Sequence, residues 1–599
     1  MKIKENIHVE KKCVVAIQIF MVLCINFLVL QFATRGIGYI LSINVWYGCI
    51  NIGIILSFVG IVYCFIGKLW LSEAICSVIC LIYSIINQYV IEFHGSPLTI
   101  PEFSNTKTAI NVLGGYSLLS IKPLVFVLII AIFSVLLFFL INIQKNNEGQ
   151  HIKEKQKKVI TKRIIIFVFG IIFIGASLMS KTLTEPLQKC WHFKEAIGKY
   201  GYPLYFLASG LDYEVLPPDG YSEDNLQLIP IENYSANALG SNQTPDIILI
   251  LNESFYDISL VTDVETDVNY KGQVFDMDNT ISGHAVVPKI GGGTNNSEYE
   301  LLTSNSTYLL QGITPFETLD MSDTASMVSN LNELGYHTIG MHPAAAGNYS
   351  RNTGYVRLGF DEIHFEEDFV KKEYYGERML VTDACAYDYM IQWYENAIKE
   401  SAPVFSYLLT IQNHGEWGTN ESDEDIVHVK NCDNTLEEKL NEYLSCISLS
   451  VEALNDLIQY FQKSERPVIL CMVGDHAPSF IEEITEKDIN NAILQRATPF
   501  VIWANFPINE KKDVMVSINE LGPLVLEEAG IKMMPYYQYI LHMRKRVPVT
   551  TSFGNYIDAD GKIFSYTDST ENSTNIQEYF FLEYNNLQRT SMKQWFSVE

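Results

Sequence analysis

At 599 residues the chain is long enough to bury several hundred side chains and to form more than one domain. Its formal net charge of −27 is unevenly spread: residues 1–180 hold 15 Lys/Arg against 7 Glu and no Asp, whereas the rest holds 27 basic against 62 acidic groups, leaving +8 and −35. The acidic part repels phosphate backbones at long range, which argues against nucleic acid as a partner and means that a phosphate-bearing substrate needs a metal ion or local Arg/His.

Five membrane spans are predicted, at 13–33, 43–65, 69–91, 121–142 and 162–180, each about 20 apolar residues and so long enough for a ~30 Å hydrocarbon layer. Lys2, Lys4, Lys11 and Lys12 before the first span, and Lys145 to Arg163 before the fifth, place both segments in the cytoplasm under the positive-inside bias. An odd number of spans then puts everything after residue 180 outside. The 92–120 loop, with His94 to Pro101, reads as an outer connector, and the first span is not a cleavable signal because others follow at once. Residues 181–244 read as a juxtamembrane helix, amphipathic over Leu187–Leu204, and a linker in which Ala236-Asn-Ala238 is a candidate signal-peptidase site. Apolar runs at 246–251, 337–341, 404–411, 468–473 and 500–503 alternate with helical patterns near 323–334, 381–399 and 434–462, as in a largely parallel sheet covered by helices. The expected catalytic domain is therefore 245–545. Residues 546–599 form a hairpin-like subdomain over 546–571 and a tail. The 11 Cys include no CxxC pair; Cys432 with Cys446 is the one bridge considered, and Cys471 reads as a buried strand residue.

Four of the apolar runs end on residues that bind metals or move protons. Pro467 to Val473 runs into Gly474-Asp475-His476-Ala-Pro478, Asp246–Leu251 into Asn252-Glu253, His337–Met341 into His342, and Val404–Ile411 into Gln-Asn-His414. Open α/β sheets bind ligands at the carboxyl ends of their strands, so Asp, Glu and His delivered there suit a metal-assisted phosphoryl site. The second informative stretch is Gly291-Gly-Gly-Thr294-Asn-Asn-Ser-Glu-Tyr-Glu300. Its glycines allow close backbone approach, and Thr294 reads either as a helix N-cap or as a nucleophile. A threonine hydroxyl needs a lowered pKa to attack, and coordination to a divalent ion supplies it. Glu253, Asp475 and His476 complete a four-ligand set with Thr294 that suits zinc or manganese equally. His342 and His414 are candidates for orienting phosphate or moving a proton, Arg351 for gripping phosphate oxygens in a bidentate fork, and Tyr349 for stacking on a small polyol.

These residues resemble the lipoteichoic acid synthase family, membrane-anchored phosphoglycerol transferases of the alkaline phosphatase and sulfatase superfamily. The resemblance is carried by Glu253 in Leu251-Asn-Glu-Ser-Phe255, by Thr294 in Gly-Gly-Gly-Thr-Asn-Asn-Ser-Glu, and by Asp475-His476 in Gly-Asp-His-Ala-Pro. It implies a polytopic helical membrane domain followed by an extracellular α/β domain of alkaline phosphatase/sulfatase type, in a bacterial cell membrane. It also implies one divalent ion on Glu253, Thr294, Asp475 and His476, with Mn2+ favoured and Zn2+ or Mg2+ as alternatives. Thr294 would carry a glycerophosphoryl intermediate, drawn from phosphatidylglycerol and passed to a glycolipid or polyglycerophosphate acceptor. The substrate contacts would be His342, Arg351 and His414, with Tyr349 where such synthases have Trp and Ala344 where a polar contact occurs. The competing readings are a phosphoglycerol transferase acting on a membrane-derived glycan, a phosphoethanolamine transferase, and a non-enzymatic binder of anionic polymers. True sulfatase chemistry is disfavoured because no C/S-x-P-x-R motif is present.

Overall fold

A computed structural model describes residues 2–32, 43–94, 100, 156–180, 183, 193–209, 215–234 and 244–598, the last apart from 311–312, 401, 416, 419–424, 431–433, 486–488 and 589–591. The chain divides into two compact units, Met1–Tyr213 and Glu214–Glu599. The expected span at 121–142, the 236–238 cleavage site and Cys432 lie outside the described residues.

The first unit is helical: α1 (Lys2–Phe32), α2 (Val45–Ile66), α3 (Leu69–His94), α4 (Gln156–Met179), α5 (Phe193–Tyr200) and α6 (Tyr202–Ala208). Among the described residues, Val45–Ile66, Leu69–Asn87 and Ile160–Met179 are long and apolar enough to cross a membrane, and Ala16–Gln31 is a shorter apolar helix. This is a membrane protein. The amphipathic stretch expected as one helix breaks at Gly201, whose φ of +86° suits glycine. The backbone groups opened by that break are met by amides from the apolar helices. Asn51 donates to Tyr200 O at 2.7 Å and accepts from Leu204 N at 2.8 Å, and Gln31 spans Ile197 O and Tyr202 N, both at 2.9 Å. Buried amides in apolar helices thus find partners where another helix leaves its own unpaired.

The second unit is built on an eight-stranded sheet. In chain order its main elements are β1 (Asp246–Asn252), β2 (Thr280–Val286), α7 (Thr294–Thr303), β3 (His337–Met341), α8 (Arg351–Leu358), β4 (Glu362–His364), α9 (Asp383–Ala397), β5 (Val404–Leu409), α10 (Asn434–Gln462), β6 (Val468–Gly474), β7 (Ala497–Ala504), β8 (Lys511–Ser517), α11 (Ile518–Glu528), α12 (Pro535–Met543) and α13 (Ser573–Gln588). The strand order is β8-β2-β7-β6-β1-β5-β3-β4, and all neighbours are parallel except β7, which runs against both β6 and β2. The largely parallel sheet is as expected, with β7 reversed. β2, β4 and β8 are not among the expected strands: Ser282-Gly283-His284 interrupts the apolar run of β2, β4 is only Glu362–His364, and β8 opens on Lys511-Lys512-Asp513 with a bulge at Asp513.

The central strands β1 and β6 are buried on both faces, which is why they read as continuous apolar runs rather than alternating ones. Ile248, Ile250, Leu408 and Met472 pack under α9 and α10 through Met390, Tyr394, Leu454 and Phe461. On the opposite face Tyr407 of β5 meets Tyr355 of α8 and, through its hydroxyl, Glu298 of α7. The tail is not a loose appendage. Tyr579 of α13 donates to Ser304 O at 3.1 Å, just past the end of α7, and Tyr221 stands edge-on to Phe581 and Tyr584. The described part of the expected linker, 215–234, therefore packs on the C-terminal segment within the same unit.

Candidate active site

The turns that follow β1, β5, β6 and β3, together with the first turn of α7, converge at the carboxyl end of the sheet. Two glycines make the approach close enough. A Cβ on Gly474 would stand 2.0 Å from Phe255 O, so only glycine lets the end of β6 lie against the turn after β1. A Cβ on Gly291 would meet Ser479 at 2.6 Å, and Gly291 N donates to Ala477 O at 2.8 Å, which seats the glycine-rich loop on the segment after His476. The helix cap is Gly293 rather than Thr294, so the Thr294 hydroxyl is not spent on capping. It donates to Glu253 Oε2 at 3.3 Å, and the residue is buried.

Glu253, Asp475 and His476 are the one group of His, Cys, Asp or Glu among the described residues with potential ligand atoms that all lie within 4.8 Å of one another. His476 donates from Nδ1 to Ala477 O at 3.0 Å, which turns Nε2 toward Glu253 Oε1 and Asp475 Oδ2, each 3.3 Å away. The buried Asp475 Oδ2 meets no hydrogen-bond geometry among the described residues, while the Thr294 hydroxyl lies close enough to the carboxyl to draw it down. Two buried carboxylates and an imidazole aimed at one point, beside a hydroxyl, form a hard oxygen and nitrogen donor set that fits a divalent cation. The electrostatics agree with that fit. Burial, and then the Glu253 charge, push the Asp475 carboxyl up to about 7. Burial opposes ionisation of Glu253 too, but the His476 hydrogen bond and the charges of His414 and His476 outweigh it and hold the carboxyl at about 2. Burial alone would lower His476, yet the two carboxylates raise it to about 9.

Of the expected substrate contacts, His342 and Arg351 share a second hydrogen-bonded group. His342 donates from Nδ1 to Leu409 O at 3.1 Å, and its Nε2 accepts from Arg351 Nη1 at 3.3 Å, so the ring is neutral with a fixed tautomer. Burial and then the Arg351 charge hold it well below the usual imidazole range. Arg351 opens α8 and stands over the Tyr349 ring with its guanidinium carbon 5.0 Å from the centroid. Tyr349 and Ser350 both have positive φ, 53° and 55°, a strained pair that turns the chain into α8. His414 donates from Nδ1 to Gly415 O at 2.9 Å, its own carbonyl accepts from Arg378, and its Nε2 takes no hydrogen bond among the described residues. Ala344 packs against the small apolar cluster of Val381, Cys385 and Ile411.

One further residue, not among the expected site residues, orders this site. Glu298 is fully buried on α7, one turn after Thr294, and accepts from Arg351 Nε at 2.7 Å, Tyr355 OH at 2.7 Å and Tyr407 OH at 3.3 Å. It uses the Nε of Arg351 and leaves Nη2 without a hydrogen bond among the described residues. The spacing of four from Thr294 places it on the same face of one helix, a signal present in the sequence but shared by many unremarkable helix pairs.

Residues 245–531 match the family model described as Sulfatase. Among curated proteins, a Rhizobium meliloti (strain 1021) protein named for cyclic beta-1,2-glucan modification is 24% identical over 363 residues, 58% of this chain and 55% of that protein. The chain thus spans little more than half of that relative. Among solved structures, the Streptococcus pyogenes phosphoglycerol transferase GacH, in complex with sn-glycerol-1-phosphate, superposes with a TM-score of 0.52 at 20% identity, covering 63% of this chain and 97% of that one. The lipoteichoic acid synthase LtaP from Listeria monocytogenes gives 0.44 at 17% identity, covering 59% and 96%.

Proposed function

With residues 245–531 a sulfatase-family domain, we propose that the protein is a metal-dependent phosphotransferase that moves glycerophosphate from phosphatidylglycerol to a glycerol or glycolipid acceptor by way of Thr294. The observation that carries this reading is the uncapped Thr294 hydroxyl 3.3 Å from Glu253, in the same pocket as Asp475 and His476. Glu253, Asp475, His476 and Thr294 would hold the ion, Mn2+ by preference, which when bound supplies positive charge that lowers the threonine pKa and offsets charge on the phosphoryl group.

In the first step the Thr294 oxygen forms a bond to phosphorus, and the bond from phosphorus to the diacylglycerol oxygen breaks. The threonine proton leaves toward Glu253, and His414, which enters the step with a proton on Nε2 as well as the Nδ1 proton shared with Gly415 O, gives the Nε2 proton to the departing oxygen. In the second step an acceptor hydroxyl gives its proton back to His414 and displaces Thr294, which recovers its own. Diacylglycerol and the glycerophosphorylated acceptor are the net products. Arg351, oriented by Glu298 and His342, offers Nη2 to a phosphate oxygen, and Tyr349 offers a ring face to the glycerol. Five spans with the catalytic part outside would bring this site to the outer leaflet, where donor and acceptor are confined to two dimensions.

A second reading, transfer to a membrane-derived glycan, is favoured by the name of the Rhizobium relative. Full-length protein with Mn2+ and glycerol-labelled phosphatidylglycerol is expected to release diacylglycerol and acquire label at Thr294. Labelled phosphatidylethanolamine and added glucan separate the alternatives by donor and by acceptor. No turnover of any phospholipid across Mn2+, Zn2+ and Mg2+ would end the proposal. Within it, Arg351→Ala raises KM for phosphatidylglycerol at least about tenfold while Mn2+ affinity stays within about twofold; equal loss of both would remove Arg351 from the phosphate site.

The pH dependence has a definite sign. His476, raised to about 9, and Asp475, raised to about 7, each favour the folded state below their ordinary values of 6.5 and 3.8 and lose that contribution as pH rises through the raised ones. Chelated protein is therefore expected to unfold at lower temperature at pH 9 than at pH 6. An ion competes with the same protons, so its apparent affinity should rise about tenfold per pH unit between about 7 and 9, where one proton is displaced. Calorimetry in buffers of different ionisation enthalpy counts that proton.

A further inference from the structure

Behind the proposed metal ligands lies a further buried carboxylate. Asp383, at the start of α9, is fully buried. Its Oδ2 accepts from Asn252 Nδ2 at 2.8 Å and from Ser450 Oγ at 2.7 Å, and its backbone N donates to Gln412 Oε1 at 2.9 Å. Asn252 is the last residue of β1 and precedes Glu253. With its NH2 turned to Asp383, its Oδ1 faces Asn413 Nδ2 at 2.9 Å, and Asn413 precedes His414. Asn413 Nδ2 and Gln412 Nε2 both reach Ser450 Oγ at 3.0 Å, so α10 closes the network from below. The Thr410 hydroxyl accepts from Glu253 N at 3.1 Å and also lies close enough to Asp383 to draw its carboxyl down. Burial is the larger effect and leaves that carboxyl at about 6.

A carboxylate only accepts, so every donor around Asp383 is oriented by it. The amide directions Asn413 to Asn252 to Asp383 are fixed as a chain, and the residues held are the immediate neighbours of Glu253 and His414. We infer that Asp383 is a positioning residue, which through Asn252, Thr410, Asn413 and Ser450 sets the Glu253 carboxylate and the His414 imidazole at the spacing that ion binding and transfer require. This inference rests on the metal-dependent transfer proposed above, and its test separates the two. Outer-shell partners of metal ligands typically alter affinity by about 10- to 100-fold.

The experiment is Mn2+ titration calorimetry on the full chain in detergent, beside steady-state kinetics with phosphatidylglycerol. Asp383→Ala is expected to weaken Mn2+ binding at least about tenfold and to lower kcat with KM for the lipid little changed. Asp383→Asn keeps one oxygen to accept from Asn252 and Ser450, so it should fall between the alanine variant and the unmutated protein. Combining Asp383→Ala with Asn252→Ala should cost no more than the worse single change, because both act through one chain of hydrogen bonds. Mn2+ affinity within about twofold of the unmutated protein for Asp383→Ala, or additive losses in the double variant, would overturn the inference. Should the alanine variant not fold, Asp383→Asn and Ser450→Ala decide by the same affinity measure: a loss supports the role and unchanged binding refutes it. Unmutated protein that binds Mn2+ but turns over no phospholipid would refute the proposed reaction and leave the affinity arm intact.

Discussion

Replacing Thr294 by alanine is expected to abolish transfer: kcat/KM should fall by about 10^4 or more, with no labelled adduct surviving denaturation. The residue sits at the first position of α7, capped by Gly293, so the change removes neither a helix cap nor a large buried side chain. The folding cost is accordingly below about 1.5 kcal/mol. Mn2+ binding through Glu253, Asp475 and His476 should persist in weakened form, because three of four donors remain. An alanine variant that still released diacylglycerol at even a tenth of the normal rate would mean that another nucleophile, or water, attacks the phosphorus. Thr294→Ser keeps the hydroxyl and is expected to keep measurable transfer and a serine-linked adduct.

The second large effect is expected from Glu253→Gln, read out first as stability. A ligand at a hundredfold excess over its Kd stabilises the folded state by about 2.7 kcal/mol, so saturating Mn2+ should raise Tm of the unmutated protein by several degrees. The glutamine variant loses that increment and about two orders of magnitude or more in Mn2+ affinity. The charge is the reason rather than the shape, since the amide keeps one oxygen near the ion. It also removes the hydrogen-bonded carboxylate that helps raise His476, so the imidazole pKa drops toward its ordinary range. Transfer should fall by at least about 10^3. A glutamine variant that kept its Mn2+-dependent Tm shift would place the ion elsewhere.

The parts of this site legible in the sequence share one property. Glu253, His342, His414 and Asp475-His476 each end or closely follow an apolar run short enough to be a buried strand, and the position itself is the signal. Thr294 stood out because consecutive glycines precede it. Glu298, Asp383 and Arg378 had no such marker: each is a charged residue in or beside ordinary helical or loop sequence, and only the fold makes it a partner. Glu298 is found because α7 lies against β5 and α8, and Asp383 because α9 begins beneath the ends of β1 and β5. The strands β2 and β8 were hidden for a different reason. β8, at the sheet edge, tolerates charge and a bulge, and in β2, which lies between β8 and β7, Ser282-Gly283-His284 breaks the apolar run, so neither pattern stands apart from a loop.

By itself the sequence determined what local chemistry and hydropathy decide: apolar helices suited to a bilayer, an acidic α/β domain, and which side chains stand at strand ends. Which of those side chains share one pocket, that Thr294 is free of capping duty, and that Asp383 and Glu298 are buried acceptors hydrogen-bonded beside them were settled only by the tertiary structure. The physical reason is that a hydrogen bond or shared cation acts over about 3 Å between residues far apart in the chain. Periodicity carries no record of such distances until strands and helices are packed.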